Sequence, residues 1–164
     1  MATVARISID EYLRSHYEPE CELIEGELQQ KPMGTVERMS VERALILALH
    51  KYEHVGRALP ELSIRISENT VLIPDFAFVR HPVPSSGILE KPPLLCVEVL
   101  SPSDRFSATL AKMERYRAFG VEHCWIIDPM KKTAWTVSSD GRPHEEREML
   151  RAGELEVALS ALFE

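Results

Sequence analysis

Two apolar runs dominate the pattern of the chain: Leu94-Leu95-Cys96-Val97-Glu98-Val99-Leu100 and Trp125-Ile126-Ile127. Ser101-Pro102-Ser103-Asp104 ends the first, a segment of helical spacing follows, and Asp128-Pro129 closes the second. Two apolar strands joined by a helix form a βαβ unit, which requires parallel strands and a right-handed crossover. A strand that is apolar on consecutive residues is covered on both faces. Glu98 therefore occupies a position where an unpaired carboxylate costs on the order of several kcal/mol, unless a cation or hydrogen-bond partners meet it.

The other elements follow from the same patterning. Ile7 to Leu13 starts a short helix, with Ser8 as N-cap and Glu11 three residues on. Glu22 to Gln29 reads as a strand in which Gly26 marks a bulge or a turn, and Pro32 and Gly34 then break the chain. From about Val36 to Val55 the apolar positions Val41, Ala44, Leu45, Leu47, Ala48, Leu49 and Tyr52 fall near helical spacing. Leu62 to Ile66 alternates as a strand, and Val71 to Val79 follows as another. Pro74 has no backbone donor and marks a bulge or an edge in that second strand. Later strands are expected over Thr133–Val137 and, as a polar edge, near Glu145 to Leu150. A short element from Leu155 to Phe163 ends the chain.

Length and composition narrow the classes. A chain of 164 residues, 45% hydrophobic and 27% charged, is expected to be one domain over residues 1–164 with a sizeable core. No apolar segment approaches the roughly 20 residues that span a bilayer. The start, Met1 to Arg6, lacks the apolar stretch of a signal peptide, so a cytoplasmic location and no membrane partner are expected. Cys21, Cys96 and Cys124 are far apart, and the last two read as small core residues in a reducing compartment. His50 and His54 lie one helical turn apart without an HExxH pattern and read as surface histidines. The net charge of −7 argues against binding nucleic acid by bulk charge. Arg105, Lys112, Arg115, Arg117, Lys131 and Lys132 nevertheless leave room for a local basic surface.

Asp75 repeats the anomaly of Glu98, being the lone charge in the apolar stretch Val71 to Val79. Carboxylates on neighbouring strands can converge on one hard divalent cation such as Mg²⁺, which offsets their burial, polarises a phosphoryl oxygen and lowers the pKa of a bound water. A nearby lysine would orient that water or stabilise the developing negative charge. Lys112 is the candidate. It flanks the stripe formed by Phe106, Leu110 and Met113, near Arg105, Arg115 and Tyr116 at helical offsets, although a surface lysine lying along apolar neighbours has the same pattern.

Pro74-Asp75 followed by Glu98-Val99-Leu100 resembles the PD-(D/E)XK nuclease signature with its final lysine replaced by Leu100. The wider set resembles the Uma-two family of restriction endonucleases. It comprises Glu22-Leu23-Ile24-Glu25-Gly26-Glu27, Pro74-Asp75, Val97 to Ser103, Lys112, Tyr116, Gly120-Val121 and Trp125 to Pro129, and covers about Ile7 to Phe163. The resemblance implies an α/β, restriction-endonuclease-like core: a central mixed β-sheet flanked by helices. It also implies a Mg²⁺ (or Mn²⁺) site with Asp75 and Glu98 as ligands, and DNA as the nucleic-acid partner. Lys112, displaced onto the helix, would replace the lysine missing at Leu100. Glu22, with Glu25 as the runner-up, would complete the catalytic set. The chain departs from the family where members commonly carry a histidine, at Arg38. Cutting two strands calls for two sites, so a homodimer is expected. A non-catalytic interaction or nucleic-acid-binding module on the same fold, and a hydrolase of small phosphoesters, are the competing readings.

Overall fold

The structure is a computed structural model and describes residues 4–163; Met1 to Thr3, part of the stretch read above as lacking a signal peptide, lie outside them. In chain order the elements are α1 (Ile9–Arg14), β1 (Cys21–Ile24), β2 (Glu27–Gln30), α2 (Val36–Leu49), β3 (Gly56–Pro60), β4 (Ile64–Ser67), β5 (Thr70–Leu72) and β6 (Phe76–Arg80). Then come β7 (Leu95–Val99), α3 (Phe106–Phe119), β8 (His123–Asp128), β9 (Thr133–Val137), β10 (Pro143–Glu146), β11 (Met149–Ala152), β12 (Leu155–Ala158) and α4 (Leu159–Leu162). A six-stranded sheet runs β10-β9-β8-β7-β6-β3, beside a four-stranded sheet, β2-β1-β5-β4, and the β11-β12 hairpin. Strands β7 and β8 pair in parallel, as the βαβ reading requires, while their outer neighbours β6 and β9 pair antiparallel, so the sheet is mixed. No helix among the described residues is long and apolar enough to cross a membrane.

Both faces of the six-stranded sheet are covered, which is why its central strands are apolar on consecutive positions. Phe76, Phe78, Val97, Val99, Trp125 and Ile127 face α2, α4 and the β11-β12 hairpin. Cys96, Cys124 and Ile126, on the opposite face, meet Met113 and Tyr116 of α3. Glu98 alternates onto this second face. The cysteines at 96 and 124 are buried and free, in keeping with their reading as core residues.

Local chemistry sets the element ends. Ser8 Oγ accepts from the Glu11 N–H at 3.1 Å and caps α1. Thr35 Oγ1 accepts from the Arg38 N–H at 3.3 Å and caps α2, whose helix stops at Leu49 before a 3₁₀ turn, His50–Tyr52, rather than continuing to Val55. Gly120, at φ 114°, ends α3 in the left-handed region and donates to the Tyr116 and Arg117 carbonyls.

Three expected strands are divided; the polar one near Glu145 to Leu150 breaks after Glu146, between β10 and β11. Residues 22–29 fold as a hairpin, because Glu25 and Gly26 both take positive φ, 51° and 83°, and form the tight turn between β1 and β2. The stretch Val71 to Val79 splits at Ile73-Pro74-Asp75. Strand β5 pairs with β1 and β4 in the smaller sheet, whereas β6 pairs with β3 and β7 in the larger one. Pro74 cannot donate to a ladder, and the chain changes sheets there. Asp75 is thereby carried to the junction of the two sheets.

Candidate active site

Four separate parts of the chain converge at that junction. Glu22 comes from β1, Asp75 from the crossing between the sheets, Glu98 from β7 and Lys112 from the middle of α3. All four line one cleft of about 120 Å³, which Leu100 and Thr109 also border. A larger hollow of about 360 Å³ lies beside β8 and β9, but no buried charged residue lines it.

Backbone amides orient the carboxylates. The Val99 N–H donates to Asp75 Oδ2 at 2.7 Å, and the Ile73 N–H donates to Glu22 Oε1 at 2.8 Å. Tyr116, one helical turn beyond Lys112, donates its hydroxyl to Glu98 Oε1 at 2.7 Å. Lys112 Nζ lies 2.6 Å from both Glu22 Oε1 and Glu98 Oε1. The helix thus places the Lys112 ammonium at the carboxylates, while Leu100 presents a buried apolar side chain to the same cleft. Of the two glutamates weighed in the first strand, Glu22 enters the cleft. Glu25 sits in the exposed hairpin turn, 3.6 Å from Arg115.

A second layer was not legible in the sequence. Arg38, 2% exposed, reaches Asp75 Oδ1 with Nη2 and donates from Nη1 to the Pro32 carbonyl at 3.1 Å. Lys31 lies 3.3 Å from the same Asp75 oxygen, pairs with Glu61 and donates to the Ile73 carbonyl at 2.8 Å. Glu42 stands one turn beyond Arg38 on α2, with its Oε1 3.5 Å from Arg38 Nε. Arg38, at the position where the family resemblance implies a histidine, is therefore a buried partner of a candidate metal ligand.

The charges act on one another. Burial pushes Asp75 upward, but Lys31, Arg38, Lys112 and the Val99 N–H more than reverse it, holding Asp75 below its ordinary range. Burial pushes Glu98 up to about 8, reinforced by Asp75 and Glu22 and opposed by Lys112. Burial works against the Lys112 ammonium too, yet Glu98, Glu22 and Asp75 raise it above its ordinary value. Those two directions compete, since a protonated Glu98 would not support Lys112. The 2.6 Å contact, together with Asp75 held below its ordinary range nearby, favours an ammonium that stays charged beside a carboxylate whose ionisation is costly. Burial, with Asp75 and Glu61, also lifts Glu42 to about 7.

Comparison with known proteins shows the fold and the family. Among solved structures, a protein described as "a putative nuclease belonging to DUF820 from Anabaena variabilis ATCC 29413" superposes with a TM-score of 0.83 at 23% identity, over 96% of this chain and 97% of that one, and shares its fold. No curated protein matches the chain. A family model described as "Putative restriction endonuclease" matches residues 9–163, nearly the whole of the described chain. The protein belongs to the Uma2 family.

Proposed function

We propose that the chain is a metal-dependent nuclease that hydrolyses phosphodiester bonds in DNA, with Asp75 and Glu98 holding Mg²⁺ or Mn²⁺. The observation that carries this reading is the convergence of Glu22, Asp75, Glu98 and Lys112, from four separate elements, on one cleft. The donor set fits a hard divalent ion, being made of carboxylate oxygens. The contacts described above on Glu22 and Glu98 all use Oε1, leaving Oε2 of each for a metal or water. With all five ionised, Glu22, Glu42, Glu61, Asp75 and Glu98 would leave Lys31, Arg38 and Lys112 two positive charges short of neutral, and a divalent ion would offset that and favour the ionised forms of Glu42 and Glu98 that burial opposes.

When bound, the ion polarises a phosphoryl oxygen and makes a coordinated water more acidic. The protein's own groups do the rest. The Val99 and Ile73 amides fix the rotamers of Asp75 and Glu22, and the Tyr116 hydroxyl fixes Glu98. Lys112, held charged at the cleft, stabilises negative charge developing on the phosphate and orients the attacking water. The expected homodimer would supply a site to each strand of a duplex.

One observation favours a second reading, a non-catalytic nucleic-acid-binding or interaction module. Arg38 and Lys31 already neutralise Asp75. Plasmid nicking in Mg²⁺ or Mn²⁺, comparing wild type with Asp75→Asn, decides between them. Metal-dependent nicking that is lost in Asp75→Asn supports the nuclease. Folded but inactive protein in both forms supports the module or a small-phosphoester substrate.

A further inference from the structure

The Arg38 guanidinium lies among three carboxylates rather than against one. Its Nη2 bonds Asp75 and lies 3.6 Å from Glu61 Oε1, and its Nε lies 3.5 Å from Glu42 Oε1. Oxygen atoms of Glu42, Glu61 and Asp75 come within 4.8 Å of one another, the spacing of ligands around a single ion. Asp75 belongs both to this group and to the cleft with Glu98 and Glu22.

Arginine does not fill this pocket well. Arg38 Nε and Glu42 Oε1 are both buried and neither has a hydrogen-bond partner, although they face each other. Buried polar atoms are rarely left unpaired, because burial removes their hydrogen bonds to water without replacing them. A buried acid and a buried base that meet at 3.5 Å without forming a hydrogen bond leave the three carboxylates in an arrangement that a smaller, more symmetrical cation would also fit.

We propose that Arg38 is a protein-supplied cation occupying a second divalent-ion position, bounded by Glu42, Glu61 and Asp75, and that it confines the protein to one metal ion. The inference rests on the metal-binding reading of Asp75 and Glu98 and adds the ion count to it. Lys31, which pairs with Glu61 and Asp75, contributes a further positive charge without an ion pair to Glu42. Arg38 acts here as a specificity-determining residue through Asp75.

The test is the stoichiometry of Mn²⁺ bound to the full chain, read by electron paramagnetic resonance of the free ion at pH 8, with no need for activity. Wild type is expected to bind one Mn²⁺ and Arg38→Gln two, with Arg38→Lys, which keeps the charge, remaining at one. Glu61→Gln should leave the wild-type count at one and remove the second ion from Arg38→Gln. Should Arg38→Gln fail to fold, Arg38→Met, which is also uncharged and offers no hard ligand atom, carries the same comparison. One ion in wild type and one in the folded variant overturns the inference and leaves the metal reading standing. No ion in either overturns both. No ion in wild type but binding in Arg38→Gln overturns the inference, since Arg38 would then block the first position rather than a second one.

Discussion

Lys112, on α3, places its ammonium 2.6 Å from Glu98 on β7, while the position two residues beyond Glu98 along the chain is the buried Leu100. The positive charge is thus supplied from above the sheet rather than from the strand itself. Side chains at Glu98 and Leu100 share a face, and both border the same cleft.

This relationship makes relocation of the lysine a test. Lys112→Met should lower nicking activity by about 10²–10³-fold, the usual cost of removing one group that stabilises transition-state charge. Leu100→Lys in that background should restore part of it, read as kcat/KM on a supercoiled plasmid. A double variant no better than Lys112→Met would mean that the ammonium must approach from the helix.

Removing Asp75 has a stability cost apart from catalysis. Asp75→Ala leaves Arg38 and Lys31 buried beside one fewer carboxylate and the Val99 amide without its partner. Breaking a buried pair in this way costs about 3–5 kcal/mol. Urea denaturation should show that loss for Asp75→Ala and a smaller one for Asp75→Asn, which retains an oxygen for Val99. Equal midpoints for wild type and Asp75→Ala would mean that Arg38 finds another partner.

Metal should stabilise the native protein alone. Mn²⁺ at about 100 times its Kd adds about 2.7 kcal/mol, seen as a rise in Tm that EDTA reverses. Glu98→Gln and Asp75→Asn should each abolish the rise. A rise that persists in both would place the ion elsewhere.

Glu42 gives stability a pH dependence of known sign. Its native carboxyl is raised to about 7 by burial and by Asp75 and Glu61, whereas unfolded glutamate titrates near 4.5. Between those values the native state binds the extra proton, so this group's contribution is fully present below the unfolded value. It is lost as pH rises to about 7, at about 1.4 kcal/mol for each pH unit crossed between the two values. In EDTA, Glu42→Gln should therefore gain stability relative to wild type as pH rises from 4.5 to 7, with no further gain above. A pH-independent difference would show that Glu42 stays ionised throughout.

Asp75 and Glu98 were legible in the sequence because each is the lone charge in an apolar run, where a carboxylate needs a reason to be. Lys112 was legible as a charge flanking the helix stripe, a pattern shared by surface lysines, and it was the family resemblance that gave it a role; Tyr116 was legible only as its helical neighbour. Lys31, Arg38, Glu42 and Glu61 carry no such signal. They stand in polar or amphipathic stretches, where a charge is ordinary, and only the tertiary fold buries three of them. The sheet change at Pro74 was half legible: a missing donor in an apolar strand predicts an interruption, but a bulge, an edge and a change of sheet all satisfy it. The hairpin at Glu25-Gly26 was similarly compressed into one strand, because its turn occupies only two residues.

Since the chain passes from one sheet to the other at Asp75, neither sheet alone holds a complete set of carboxylates. Glu22 belongs to the smaller sheet, Glu98 to the larger, and Asp75 to the span between them. The cleft consequently exists only while both sheets are paired and docked, and local opening of either one disassembles it. During heating or mild denaturation, metal affinity should fade before most secondary structure does, making the bound ion a reporter of how the two halves of the protein hold together.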